Sequence, residues 1–95
     1  MSTISPSKYE INSVITLYSS GQIKKALNVV EILIKDYPND PLLFNISGTC
    51  FASLGQLDNA IKGYKKALIL KPDYAEVHNN IGFAFEKLNQ LDAAI

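Results

Sequence analysis

The chain has 95 residues, 47% of them hydrophobic and 19% charged, which suits one small packed domain and is too apolar for a disordered tail. Nine Lys plus Arg balance nine Asp plus Glu, and the basic residues gather no further than the pairs Lys24-Lys25 and Lys65-Lys66, so nucleic acid and anionic membrane are not expected as partners. The single cysteine, Cys50, cannot close an internal disulfide, and its small and apolar neighbours place it in the core.

The opening "MSTISPSKYE" has neither a basic start nor an apolar stretch, which argues against a secretory signal and for a cytoplasmic protein; residues 1–6 are read as a leader. Apolar residues at helical spacing then predict a helix near 7–20 (Val14, Leu17, Tyr18) and a second near 23–37 (Ile23, Leu27, Val30, Ile34). Glu31 interrupts "LNVVEILI", leaving that run short of the ~20 apolar residues a membrane span needs. A third helix is expected near 41–54 (Phe44, Phe51, Leu54), a fourth near 57–71, a fifth near 75–88 and the start of a sixth near 91. Nothing alternates with period two for long enough to make a sheet. Because each connection is short, consecutive helices must run antiparallel.

The breaks between these helices are regular. Gly21, Gly55 and Asn89 fall at one phase, where a residue tolerant of positive φ suits the position just past a helix end. Pro38 and Pro72 fall at another, and a proline cannot continue a helix. Asp40 before Pro41 reads as an N-cap with a first-turn proline, and Asp73 reads as a cap for the fifth helix. Asp58 and Asp92 are placed in first turns, where the helix dipole favours an acid.

The same stretch recurs three times: "SSGQIKKAL" at 19–27, "SLGQLDNAI" at 53–61 and "KLNQLDAAI" at 87–95, each 34 residues after the last. Aligned on that period, copies at 7–40, 41–74 and 75–95 superpose Ala26 with Ala60 and Ala94, Gly48 with Gly82, and Phe51 with Phe85. The expected fold is therefore all-α: an α-solenoid of antiparallel helix hairpins, with two complete repeats and a truncated third. Tyr64 and Phe85, at helical spacing, are read as core residues. The apolar side of Ile81, Phe85 and Leu88 lacks a covering hairpin, so the chain is expected either to continue into a longer protein or to self-associate through residues 75–95.

These residues resemble the tetratricopeptide repeat family, whose unit is a 34-residue helix-turn-helix. Phe44, Gly48 and Phe51 match its first-helix pattern, as do Ile81, Gly82 and Phe85, while Ala60, Tyr64, Ala67 and Pro72 match its second. The first copy departs from it: Glu10 stands at a large apolar position and Val14 at the small one, and in the third copy His78 replaces a large residue. The resemblance implies that first helices line a concave groove that binds protein. The candidate partner-binding residues it implies are Asn12 and Ile15 on the first helix, Asn45 and Thr49 on the third, and Asn79, Asn80, Phe83 and Lys87 on the fifth. Chaperone-adaptor members hold a terminal carboxylate with a Lys, Asn, Asn, Lys, Arg clamp. The matching positions here are Ile11, Ile15, Ile46, Glu76 and Asn80, so four of the five fail. Asn12 and Asn80 instead stand where members attached to O-linked N-acetylglucosamine transferases carry an asparagine ladder; Ile46 breaks it, with Asn45 one position away. An amide offers donor and acceptor together, which suits an extended peptide backbone.

No catalytic set, metal site or cofactor motif is expected. His78 is the single histidine and has no cysteine or carboxylate at ligand spacing, and Gly48 and Gly82 stand outside any phosphate-cradling loop. The reading is a non-enzymatic protein-interaction module that receives an extended segment or helix of a partner. Two alternatives remain open at this point: the substrate-recruiting front of a larger glycosyltransferase or sulfotransferase, and self-assembly through the third repeat.

Overall fold

The computed structural model describes the backbone of residues 5–94 and the side chains of residues 5–91. It holds five helices: α1 (Lys8–Ser19), α2 (Ile23–Asp36), α3 (Pro41–Ser53), α4 (Leu57–Leu70) and α5 (Ala75–Ala94). They stack into a slab of 51 × 30 × 19 Å, long in the stacking direction because each element packs chiefly on those adjacent in sequence.

Several helix ends have a local cause. Ser7 and Glu10 form a capping box at the start of α1: the Glu10 N–H donates to Ser7 Oγ (3.1 Å) and the Ser7 N–H donates to Glu10 Oε1 (2.9 Å). This explains the polar residue at a position where the repeat pattern expects a large apolar one. Glu10 also accepts from the Tyr37 hydroxyl (3.1 Å), which ties the start of α1 to the end of α2. At α3, Asp40 accepts from the Leu42 N–H (2.9 Å) and Pro41 fills the first turn, as the sequence predicts.

The turns after α1 and α3 are the same object. Gly21 (φ 84°) and Gly55 (φ 80°) adopt the left-handed conformation. The next residue in each case donates back into the helix, Gln22 to the Leu17 carbonyl (2.9 Å) and Gln56 to the Phe51 carbonyl (2.9 Å). Gly21 donates to the Tyr18 carbonyl and Gly55 to the Ala52 carbonyl (both 3.0 Å), completing a Schellman motif.

Asn89 does not make the third such turn. Helix α5 runs unbroken from Ala75 to Ala94, so the expected end near 88 and the sixth helix near 91 are not formed among the described residues, and Asp92 lies within α5 rather than in a first turn. Left-handed backbone costs a non-glycine residue about 1–2 kcal/mol, and the flanking Gln90, Leu91, Ala93 and Ala94 are strong helix formers, so continuation is cheaper. Asp73 is likewise not the cap of α5. Tyr74 occupies that place, and its carbonyl accepts from the Val77 and His78 N–H groups (both 3.1 Å). Residues 1–4 of the leader, and Ile95, lie outside the described residues.

Two apolar clusters share α3 as a wall. Val14, Ala26, Val30 and Leu33 pack with Leu43 and Cys50 on one side; Leu57, Ala60, Ile61, Tyr64 and Ala67 pack with Val77 and Ala84 on the other, with Phe51 against both. Burial on several sides explains why α3 is apolar nearly all round, whereas α2 and α4 show one apolar stripe each. The α3–α4 crossing is the tightest: a methyl group on Gly48 would lie 2.7 Å from the Tyr64 ring, and one on Gly63 would lie 3.2 Å from the Gly48 backbone. Gly63 is thus the partner of Gly48 in the close approach, alongside Ala60. Gly82, at the same repeat phase as Gly48, has nothing within 4 Å of such a methyl. Phe85 departs from expectation: it is 42% exposed rather than core, because no sixth helix lies over it among the described residues.

Candidate functional site

The first helices of the hairpins, α1, α3 and α5, share one side of the slab and enclose two adjoining hollows there. One, of about 230 Å³, is walled by Ile15, Tyr18, Leu42, Ile46 and Glu76 and has Asn45 and Thr49 on its floor. The other, of about 300 Å³, runs from Tyr18 and Thr49 past Tyr64 to Asn80, Phe83 and Lys87. Tyr18 and Thr49 border both, so the hollows form one trough.

Of the eight residues expected in this trough, six line it and two do not: Asn12 and Asn79 are exposed but border neither hollow. Ile15 (47% exposed) and Phe83 (68% exposed) present apolar surface at its opposite ends. Asn45 is nearly buried, and its Oδ1 accepts from the Asn80 side-chain amide (3.0 Å), which fixes the orientation of Asn80 from the neighbouring hairpin. Thr49 and Tyr64 share a hydroxyl–hydroxyl bond (3.0 Å), and Tyr18 and Ser53 another (2.7 Å). Burial raises the Tyr64 phenol above its ordinary pKa, opposed by the bond from Thr49, so the group stays a neutral hydroxyl across the physiological range. Burial likewise raises Tyr74, opposed by the Asn45 amide.

Tyr64 is a trough residue that sequence reasoning missed, as are Leu57 and Ala84. Its ring fills the core beside Gly48, which its helical spacing shows, but its hydroxyl emerges on the other side of that core to meet Thr49. A phenol long enough to cross a two-glycine contact was the available signal. His78 sits outside the trough, where Nε2 pairs with the Pro72 carbonyl (2.8 Å) near the α5 start. Cys50 is fully buried, as the sequence indicates, and burial pushes its thiol up to about 11.

A larger hollow, about 880 Å³, opens on the opposite side of α3, between α2 and α4. Among the described residues no helix is long and apolar enough to cross a membrane.

The architecture defines a class: helical hairpins stacked with a common turn, close glycine contacts within a hairpin and a trough lined by first helices. Residues 48–89 match the family model described as TPR repeat. Over that stretch the chain is similar to the tetratricopeptide repeat family. It is similar to the peroxisomal targeting signal receptor of Saccharomyces cerevisiae, 28% identical over 81 residues that make up 85% of this chain and 13% of that protein. It is also similar to the uncharacterized protein ycf37 of Guillardia theta, 41% identical over 49 residues, 52% of this chain and 28% of that protein. The chain thus spans a small part of the curated relatives it matches. Among solved structures, a point mutant of MamA superposes with a TM-score of 0.78 at 24% identity, covering 93% of this chain and 64% of the other, which is a likeness of fold.

Proposed function

We propose that the chain is a non-enzymatic, cytoplasmic protein-interaction module whose trough receives an extended segment of a partner protein. The observation that carries this reading is the Asn45–Asn80 pair between hairpins: it orients an amide at the trough wall between the apolar ends supplied by Ile15 and Phe83. An oriented amide can bond a peptide backbone whatever its side chains, while Ile15 and Phe83 select apolar ones. The yeast relative is named a peroxisomal targeting signal receptor, which supports a binding role for this chain.

The test is an array of peptides about 12 residues long, enough to span the trough in extended form, probed with the purified chain. Hits that bind Asn80→Ala or Phe83→Ala at least tenfold more weakly, with helicity by circular dichroism unchanged, are expected; hits indifferent to both substitutions would place binding elsewhere. A second reading, self-association through α5, is supported by exposed Phe85 and Leu91 (56% exposed). Sedimentation across a hundredfold concentration range, with Leu91→Lys as control, decides it.

A further inference from the structure

The hollow on the other side of α3 is walled by α2 and α4, which run parallel because each follows its predecessor through a short turn. Its floor is apolar, with Phe44 and Phe51 from α3 and Ile34 from α2, and it is deep because Gly63 and Ser47 put almost no side chain into it. Ser47 is 6% exposed and lines the hollow. Three lysines, Lys35, Lys62 and Lys66, stand on the rim against one acid, Glu31. Lys66 Nζ lies 5.9 Å from the Phe44 ring centroid, which holds that positive charge over the floor.

We propose that this cleft is a second docking surface, which takes an acidic amphipathic helix of a partner protein. Charge complementarity selects the sign: a segment bearing carboxylates meets three ammonium groups along two walls. The floor selects the conformation. An extended strand laid there would set most of its backbone N–H and C=O groups against phenyl rings and aliphatic carbons, with Ser47 on the floor and the Asn28 and Asn59 amides on the walls too few to satisfy them all. A helix satisfies its own backbone and offers apolar side chains at i, i+3 and i+4 to Phe44, Phe51 and Ile34. The two sides of the molecule therefore suit different guests: the trough, rich in amides and hydroxyls, suits extended backbone, and the cleft suits a preformed helix.

The experiment uses two synthetic amphipathic peptides of about 18 residues with identical leucine faces, one carrying glutamate and the other lysine on the polar face, titrated into the 15N-labelled chain. The glutamate peptide is expected to bind, to shift the amide resonances of Ser47, Phe51 and Gly63, and to lose at least tenfold in affinity between about 50 and 300 mM salt. The double variant Lys62→Glu/Lys66→Glu is expected to weaken it at least tenfold, while Phe83→Ala, in the trough, leaves it unchanged. Equal binding of the lysine peptide, shifts confined to Tyr18, Asn80 and Phe83, or no binding at all would overturn the proposal. So would a dimer of the chain alone that Lys62→Glu/Lys66→Glu dissolves, because the cleft would then belong to a second copy.

Discussion

Glycines at one repeat phase carry unlike roles, and the difference is measurable. A methyl at Gly48 would meet the Tyr64 ring, which is pinned by Thr49 and cannot swing away. Gly48→Ala is expected to destabilise the fold by about 1–3 kcal/mol, as overpacking does. Gly82→Ala, in open space on α5, is expected to stabilise it by about 0.5–1 kcal/mol through helix propensity. Urea titration followed by far-ultraviolet circular dichroism separates the two. The periodicity makes both glycines legible, but it says nothing of which one has a neighbour. Glu10 is a second case. Its carboxylate is held below its ordinary pKa first by the Ser7 N–H and then by the Tyr37 hydroxyl. Folding gains from its ionised form above the ordinary carboxylate pKa and loses that gain as pH falls through the lowered value. Glu10→Gln, which can still cap, is expected to flatten the loss of stability on going from about pH 5 to 3, measured by thermal melts in that window.

At the scale of elements, helix ends with a chemical stop were legible and the end without one was not. Gly21 and Gly55 turn the chain because no other residue takes so positive a φ so cheaply, and Asp40-Pro41 starts α3 because both residues suit that start and little else. Gly55→Ala is expected to cost about 1–2 kcal/mol with no new contact to blame, since a methyl there meets nothing within 4 Å. A melting temperature lowered with unchanged tyrosine fluorescence would show it. Asn89 shares the phase but not the freedom, and α5 passes through it. The capping box at Ser7 is not legible in the apolar repeat pattern, which recognises packing and is blind to hydrogen bonds made at a helix start.

For the molecule as a whole, the solenoid was visible because stacking requires sameness: each hairpin must present to the next what the previous one presented to it. The trough was half visible. The family resemblance implied the side on which Ile15, Thr49, Asn80 and Phe83 lie, but Asn45 at nearly full burial and the hydroxyl of Tyr64 are decided by distances between hairpins. Because both apolar clusters pack on the central wall, they are expected to unfold as one unit. Leu43, fully buried on α3, is the sharpest probe: Leu43→Ala is expected to cost about 2–5 kcal/mol and to lower the urea midpoint while leaving a single transition. Two separated transitions would mean that the clusters melt independently.

The two hydrogen bonds that join first helices across hairpins, Tyr18 to Ser53 and Asn45 to Asn80, each link residues 35 apart in the chain. Each is worth about 1 kcal/mol net, a small fraction of the work stored in the apolar clusters. Parting the hairpins would also have to open the apolar clusters, so a guest meets walls clamped by packing, with the two pins setting only their register.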